Sequence, residues 1–130
     1  MLLTTGPVNR DFVLGELTNW HLELLNNSNN NARITFTVYG LFTTFPSVVR
    51  IRTTTVELRP GEYTPLTIQT ENFEHTIPVI DIPNNDILLT LYGRTAQFQE
   101  ISGAVYPRNA LVQLNRPLSV QGDFVSNNLG

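Results

Sequence analysis

Ile34-Thr35-Phe36-Thr37-Val38-Tyr39 alternates apolar and polar side chains without a break. Ile34, Phe36 and Val38 fall on one face and the two threonines and Tyr39 on the other, the period of two that marks a half-buried strand. Gly40 to Pro46 carries turn residues. Ser47 to Leu58 then reads as a long returning strand, with Val49, Ile51, Thr53 and Thr55 on one side and Val48, Arg50, Arg52 and Val56 on the other.

The same pattern extends outward in both directions. On the amino-terminal side, Asn26-Asn27-Ser28-Asn29-Asn30-Asn31 is a polar tract read as a solvated hairpin connection. Before it, Trp20, Leu22 and Leu24 alternate with His21 and Glu23. Leu14, Leu17, Leu24 and Leu25 have roughly helical spacing, but Gly15 breaks that pattern. Two short strands are therefore expected, Asp11–Leu14 and Asn19–Leu25. On the carboxy-terminal side, Pro60-Gly61 is a turn and Pro65 opens a strand Leu66–Thr70. Phe73 to Ile82 is a strand interrupted by Pro78, which places it at a sheet edge or on a bulge. Ile87, Leu89 and Leu91 alternate with Thr90 and Tyr92 after the turn Pro83-Asn84-Asn85-Asp86. The run Ala96 to Tyr106 changes parity, so a bulge or turn is expected near Glu100–Gly103. Ala110, Val112 and Leu114 read as the last core strand.

Eight or nine strands with turns every 8–12 residues predict an all-β fold, an antiparallel two-sheet β-sandwich of jelly-roll type with short extended tails. Three parts are expected: a leader at 1–10 broken by Gly6-Pro7, a sandwich at 11–115 and a tail at 116–130.

Composition agrees with this reading. The 130 residues suit one domain. Thr, Val and Ile supply 35 of them, which favours pleated sheet, and fourteen Asn favour turns. Eleven acidic residues face eight arginines, giving −3. That sign disfavours a nucleic-acid binder, and no apolar run is long enough for a membrane-spanning helix. Without cysteine there are no disulfides or thiolate metal sites, and without lysine no Schiff-base or lysine isopeptide chemistry. Met1 to Pro7 lacks the charged start and apolar stretch of a secretory signal.

Few residues could carry catalysis. His21 and Glu23 share a strand face and could offer two ligands to a metal, though an exposed polar face is the simpler reading. His75 lies in an apolar-rich strand and reads as structural. Asp81 and Asp86 bracket Asn84 and Asn85, a set that suits either a loose calcium site or an Asx turn. No nucleophile elbow, phosphate loop or dinucleotide fingerprint occurs. No enzyme and no cofactor are expected. Tyr39, Tyr92 and Trp20 are candidate sugar-stacking residues if the domain is a binding module.

Several segments resemble small β-sandwich proteins of the Bacillus spore surface. They are Thr5-Gly6-Pro7-Val8, Trp20-His21-Leu22-Glu23-Leu24-Leu25-Asn26-Asn27, Val56-Glu57-Leu58-Arg59-Pro60-Gly61 leading into Leu66-Thr67-Ile68, and Ile87-Leu88-Leu89-Thr90-Leu91-Tyr92-Gly93-Arg94. The resemblance is to endospore appendage (fibre) subunits and covers most of residues 5–115. It implies a jelly-roll module whose amino-terminal segment reaches into a neighbouring copy, and a place on the spore surface, in exosporium or appendage. Many such subunits carry cysteines in that segment. This chain has none, so any linkage must be non-covalent.

Physical reasoning supports a donor strand independently. Ten extended residues span about 33 Å, and alternating apolar side chains can fill groove pockets while the backbone pairs with a sheet edge. Leu2, Leu3, Thr5, Val8 and Phe12 are the candidate contacts in the leader. Leu118, Val120 and Phe124 make the tail a rival donor. A head-to-tail contact of this kind does not close and builds a filament. The expected partners are other copies of the chain, with a spore-surface anchor or tip protein at the ends. A carbohydrate or surface-ligand binding module and a viral capsid or tail protein are the alternatives.

Overall fold

The structure is a computed structural model that describes residues 1–13, 15–42 and 47–124. The expected turn at 43–46, the end of the predicted strand at Leu14 and the last six residues of the tail lie outside the described residues.

Within them the chain forms thirteen strand segments and one 3-10 turn at Arg108–Ala110. In chain order these are β1 (Leu2–Thr4), β2 (Val8–Asn9), β3 (Asp11–Phe12), β4 (Gly15–Glu16), β5 (Asn19–Asn26), β6 (Ala32–Phe42), β7 (Ser47–Leu58), β8 (Tyr63–Gln69), β9 (His75–Asp81), β10 (Ile87–Arg94), β11 (Glu100–Pro107), β12 (Val112–Leu114) and β13 (Gly122–Asp123). The count exceeds the eight or nine expected because the leader and its sequel are broken into two- and three-residue pieces. No described residue is α-helical; of the leucines that suggested a helix, Leu24 and Leu25 belong to β5, Leu17 lies buried in the link between β4 and β5, and Leu14 is outside the described residues.

Two larger sheets result. The first has the order β12-β1-β9-β6-β7-β13, with β2 also on β9; the second has the order β11-β10-β5-β8. Pairing is antiparallel except for β13, which runs parallel to β7. Leu3, Ile34, Phe36, Val38 and Ile80 from the first sheet and Trp20, Leu22, Leu24, Ile87, Leu89 and Leu91 from the second belong to one buried cluster. An all-β, sandwich-like architecture follows directly from the period of two in each of these strands.

Several local expectations need correction. The Asn-rich tract is not a hairpin connection, because β5 lies in the second sheet and β6 in the first. Nor is it all solvated. Asn26 is fully buried, donating to the carbonyls of Asn30 and Leu58, both at 2.9 Å, and accepting from the Ser28 amide and hydroxyl. A buried amide of this kind keeps its place only because both its ends are satisfied. At the other end of the chain, Val112 is 60% exposed while Leu111 is buried. The inward side chain is thus one position off the expected Ala110–Val112–Leu114 set, since Ala110 closes the 3-10 turn. Ala96 and Phe98 belong to the turn before β11, and the β10–β11 register shifts opposite Tyr92 and Arg94, with Gly103 at φ 90°.

The strand containing Pro78 is neither an edge nor bulged. β9 has β6 on one side and the leader on the other. Within a strand, a residue's N–H and C=O face the same neighbour. The Pro78 carbonyl accepts the Thr4 hydroxyl at 2.6 Å, so its missing N–H also faces the leader. There the leader is interrupted: β1 pairs with Val79–Asp81, β2 pairs with His75 and Thr76, and Thr5–Pro7 makes no ladder contact between them. The proline sits at the one place where its neighbour has no acceptor to offer.

Candidate assembly interface

The leader enters its own sheet. Leu2, Leu3 and Thr4 lie opposite Asp81, Ile80 and Val79 on one side and Leu114, Gln113 and Val112 on the other. Leu3 is 0% exposed and part of the main core cluster, while Met1, Val8 and Phe12 are half-buried against it. Leu2 and Thr5 are half-buried too. Leu2, Leu3, Thr5 and Val8 therefore lie in or beside this chain's first sheet, while Phe12 lies in β3, which pairs only with β4. The boundary drawn at residue 10 cuts through that sheet, because β9 would otherwise expose a hydrogen-bonding edge and Leu3's place in the core would be empty.

The connection between β1 and β2 is a defined corner. Thr4 is 1% exposed; its hydroxyl donates to Pro78 O and accepts from the Gly6 amide at 3.0 Å. The Thr5 hydroxyl donates to Gly6 O at 2.7 Å. Gly6 has φ 77°, in the left-handed region that costs glycine nothing, and Pro7 fixes the following φ. Sequence reasoning noticed the Gly-Pro break but missed Thr4. Its signal was available: a threonine two residues before a glycine can accept that amide in a side-chain-closed turn.

The tail takes a different place. Gly122 and Asp123 lie parallel to Val49 and Arg50, with Gln121 N donating to Val48 O and Phe124 N to Arg50 O, both at 2.7 Å. Arg50 binds Asp123 at 2.6 Å, and that carboxylate holds the guanidinium proton more tightly than usual. Phe124 stacks edge-on against Phe73 at 5.1 Å, and Phe73 meets Phe42 at 5.2 Å. Leu118 and Val120 are half-buried and outside any strand. The tail's clean alternation thus yields only a two-residue strand. The structure brings Leu2, Leu3, Thr5, Val8 and Phe12 together along one route and sets Phe124 apart from them, beyond β7 at the far edge of the sheet.

The other candidates fall elsewhere. His21 and Glu23 are neighbours, Nε2 to Oε1 at 3.6 Å, on the outer face of the second sheet. Among the described residues no three His, Asp or Glu side chains converge as metal ligands. Asn84 Oδ1 accepts the Asp86 amide at 2.8 Å, the geometry of an Asx turn. Trp20 is 0% exposed and cannot stack on a sugar. Tyr39 is half-buried and pairs with Arg50 across the β6–β7 ladder. No family model, curated protein or solved structure matches the chain.

Proposed function

We propose that this protein is a non-enzymatic structural subunit of jelly-roll type that self-assembles head-to-tail into a filament or surface layer on bacterial endospores. Assembly proceeds by non-covalent exchange of the leader strand between copies, and a surface anchor or tip protein occupies the ends. One observation carries this reading: Leu3 is wholly buried on a three-residue strand that joins the rest of the sheet through the Thr5-Gly6-Pro7 corner. A short strand on such a corner is a natural element to swap, because the same pairings and the same pocket are available in any copy. Opening the corner releases β1 and bares the β9 edge and the Leu3 pocket, which the β1 of another copy can fill with the same pairings.

The absence of cysteine makes a clean test possible. Leu2 and Asp81 are direct cross-strand partners. The double variant Leu2→Cys with Asp81→Cys is oxidised at high protein concentration and examined by negative-stain electron microscopy and a non-reducing gel. Filaments with a ladder of crosslinked multimers support strand exchange. Filaments containing only internally crosslinked single chains would assign assembly to another edge, and isolated particles at every concentration, with or without oxidation, would overturn self-assembly.

A further inference from the structure

Seven large apolar side chains are exposed among the described residues, and three of them, Tyr63, Leu88 and Val105, stand on the outer face of the second sheet; a fourth, Phe98, lies at its end. We infer that this face binds a neutral oligosaccharide chain, with tyrosine rings as the stacking surface and Glu23 as the central hydroxyl acceptor.

Register sets the geometry. Tyr92, His21 and Thr67 form one cross-strand row, and Leu88, Leu25 and Tyr63 form another four residues along. Glu23 lies between these rows. Its Oε1 accepts the Tyr63 hydroxyl at 3.1 Å and lies 3.6 Å from His21 Nε2. The Tyr92 phenol also faces Glu23, and burial first, then that negative charge, makes its proton harder to remove. The Tyr63 hydroxyl is tethered to that carboxylate, and the Tyr92 ring packs beside His21 with centroids 6.1 Å apart, so the aromatic surface is ordered before any ligand arrives. Tyr63 nevertheless remains 56% exposed. A preordered, exposed aromatic face is what the C–H face of a sugar ring packs on, and a half-exposed carboxylate accepts its hydroxyls at little ordering cost.

Phe98 is the second observation. It has φ 59°, a region that disfavours a bulky side chain, yet it is 57% exposed and so buries little in return. The Thr95 turn holds it there, with the Thr95 hydroxyl accepting the Gln97 and Gln99 amides. Arg94 lies over its ring at 5.3 Å and also donates to Thr67 and Asn19. From Leu88 to Arg94 the face runs about 20 Å along β10, long enough for a chain of sugars rather than one.

Charge selects among saccharides. The face carries two carboxylates, Glu23 beside His21 and Glu100 opposite Arg94, against the one guanidinium of Arg94, while burial and Arg94 hold His21 toward its neutral form. The surface is therefore mildly negative, which suits neutral glycans and repels sulfated or sialylated ones.

The full-length chain is tested on an array of neutral gluco-, manno- and N-acetylglucosamine-based oligosaccharides beside sulfated and sialylated sets. Binding to neutral chains is expected, falling at least tenfold in Tyr63→Ala and in Glu23→Gln but unchanged in Tyr39→Ala on the opposite sheet. Thermal unfolding of each variant confirms that it folds, and Tyr63, on an edge strand, is the least disruptive to replace. No binding to any neutral glycan, binding confined to acidic glycans, or binding indifferent to both Tyr63→Ala and Glu23→Gln would overturn the inference. So would sugar-independent self-association abolished by Tyr63→Ala, which would give the face to a second copy.

Discussion

The Trp20 indole nitrogen donates to the Thr76 hydroxyl at 2.9 Å through the interior, and both residues are essentially unexposed. Trp20 belongs to β5 in the second sheet and Thr76 to β9 in the first, so this bond ties the two sheets at one end of the core. Thr76 also lies opposite Val8 and Gly40, which links the bond to the leader and to β6. Replacing the hydroxyl by a methyl keeps the shape and strands the indole N–H. Thr76→Val should therefore lower unfolding free energy by about 1–3 kcal/mol. Urea denaturation followed by tryptophan fluorescence measures it directly, and a variant as stable as the parent would show that the bond contributes nothing net.

Leu3 gives the corresponding figure for the leader. Its side chain is fully buried between β9 and β12. Leu3→Ala should cost about 2–5 kcal/mol, the range for a leucine whose cavity cannot collapse. Val112→Ala, on the exposed side of the neighbouring strand, should change stability by less than about 0.5 kcal/mol. A leader that merely lay on the surface would show the two substitutions as equals in a denaturant titration.

The sequence was most legible where a strand has one wet face. The alternation in Ile34–Tyr39, Trp20–Leu24 and Ile87–Tyr92 located β6, β5 and β10, because a period of two leaves no other way to bury the apolar set. It failed where tertiary context overrides local pattern. Pro78 looked like an edge because the gap in the leader that accommodates it lies seventy residues away in the chain. Asn26 looked like loop because the two carbonyls that satisfy its amide belong to Asn30 and Leu58. For the candidate sites, alternation identified the leader's apolar residues but not the hydroxyl of Thr4 that shapes its corner. It ranked Trp20 with the exposed aromatics although its indole spans the core. Tyr63 escaped notice because Pro65 suggested a later strand start, whereas an edge strand tolerates a proline two residues in.

Gly93 marks a close approach that no larger residue can share. A Cβ there would lie 2.6 Å from Leu17 Cδ1 and 2.9 Å from the Ala104 Cβ. Leu17 and Ala104 are themselves buried. Gly93→Ala should destabilise by about 1–3 kcal/mol through overpacking, despite alanine's better fit to a regular strand. Combining it with Leu17→Ala should recover part of the loss, since that removes the nearest clashing atom. The double-mutant cycle tests the contact itself.

His21 supplies a pH dependence whose sign is fixed. Its affinity for a proton is lowered chiefly by burial, then by Arg94, with Glu23 acting in the opposite direction. An unfolded histidine titrates near pH 6.5, roughly as in a model peptide. As pH falls, the unfolded chain takes up the proton first, so the folded state loses stability from about 6.5 down to the lower folded value and is flat beyond it. Above that window both states are neutral and His21 contributes no slope. Thr67 and Tyr92 lie against the ring but carry no charge at these pH values. Glu23 and Glu100 are present in both the parent and a His21→Gln variant, so the comparison isolates the ring. The difference in unfolding free energy between parent and His21→Gln, measured in urea at steps from about pH 7.5 to about pH 4.5, should therefore shift against the parent as pH falls through that window. A difference that stays constant with pH, or moves in the parent's favour, would show that Glu23 outweighs burial and Arg94 at this ring.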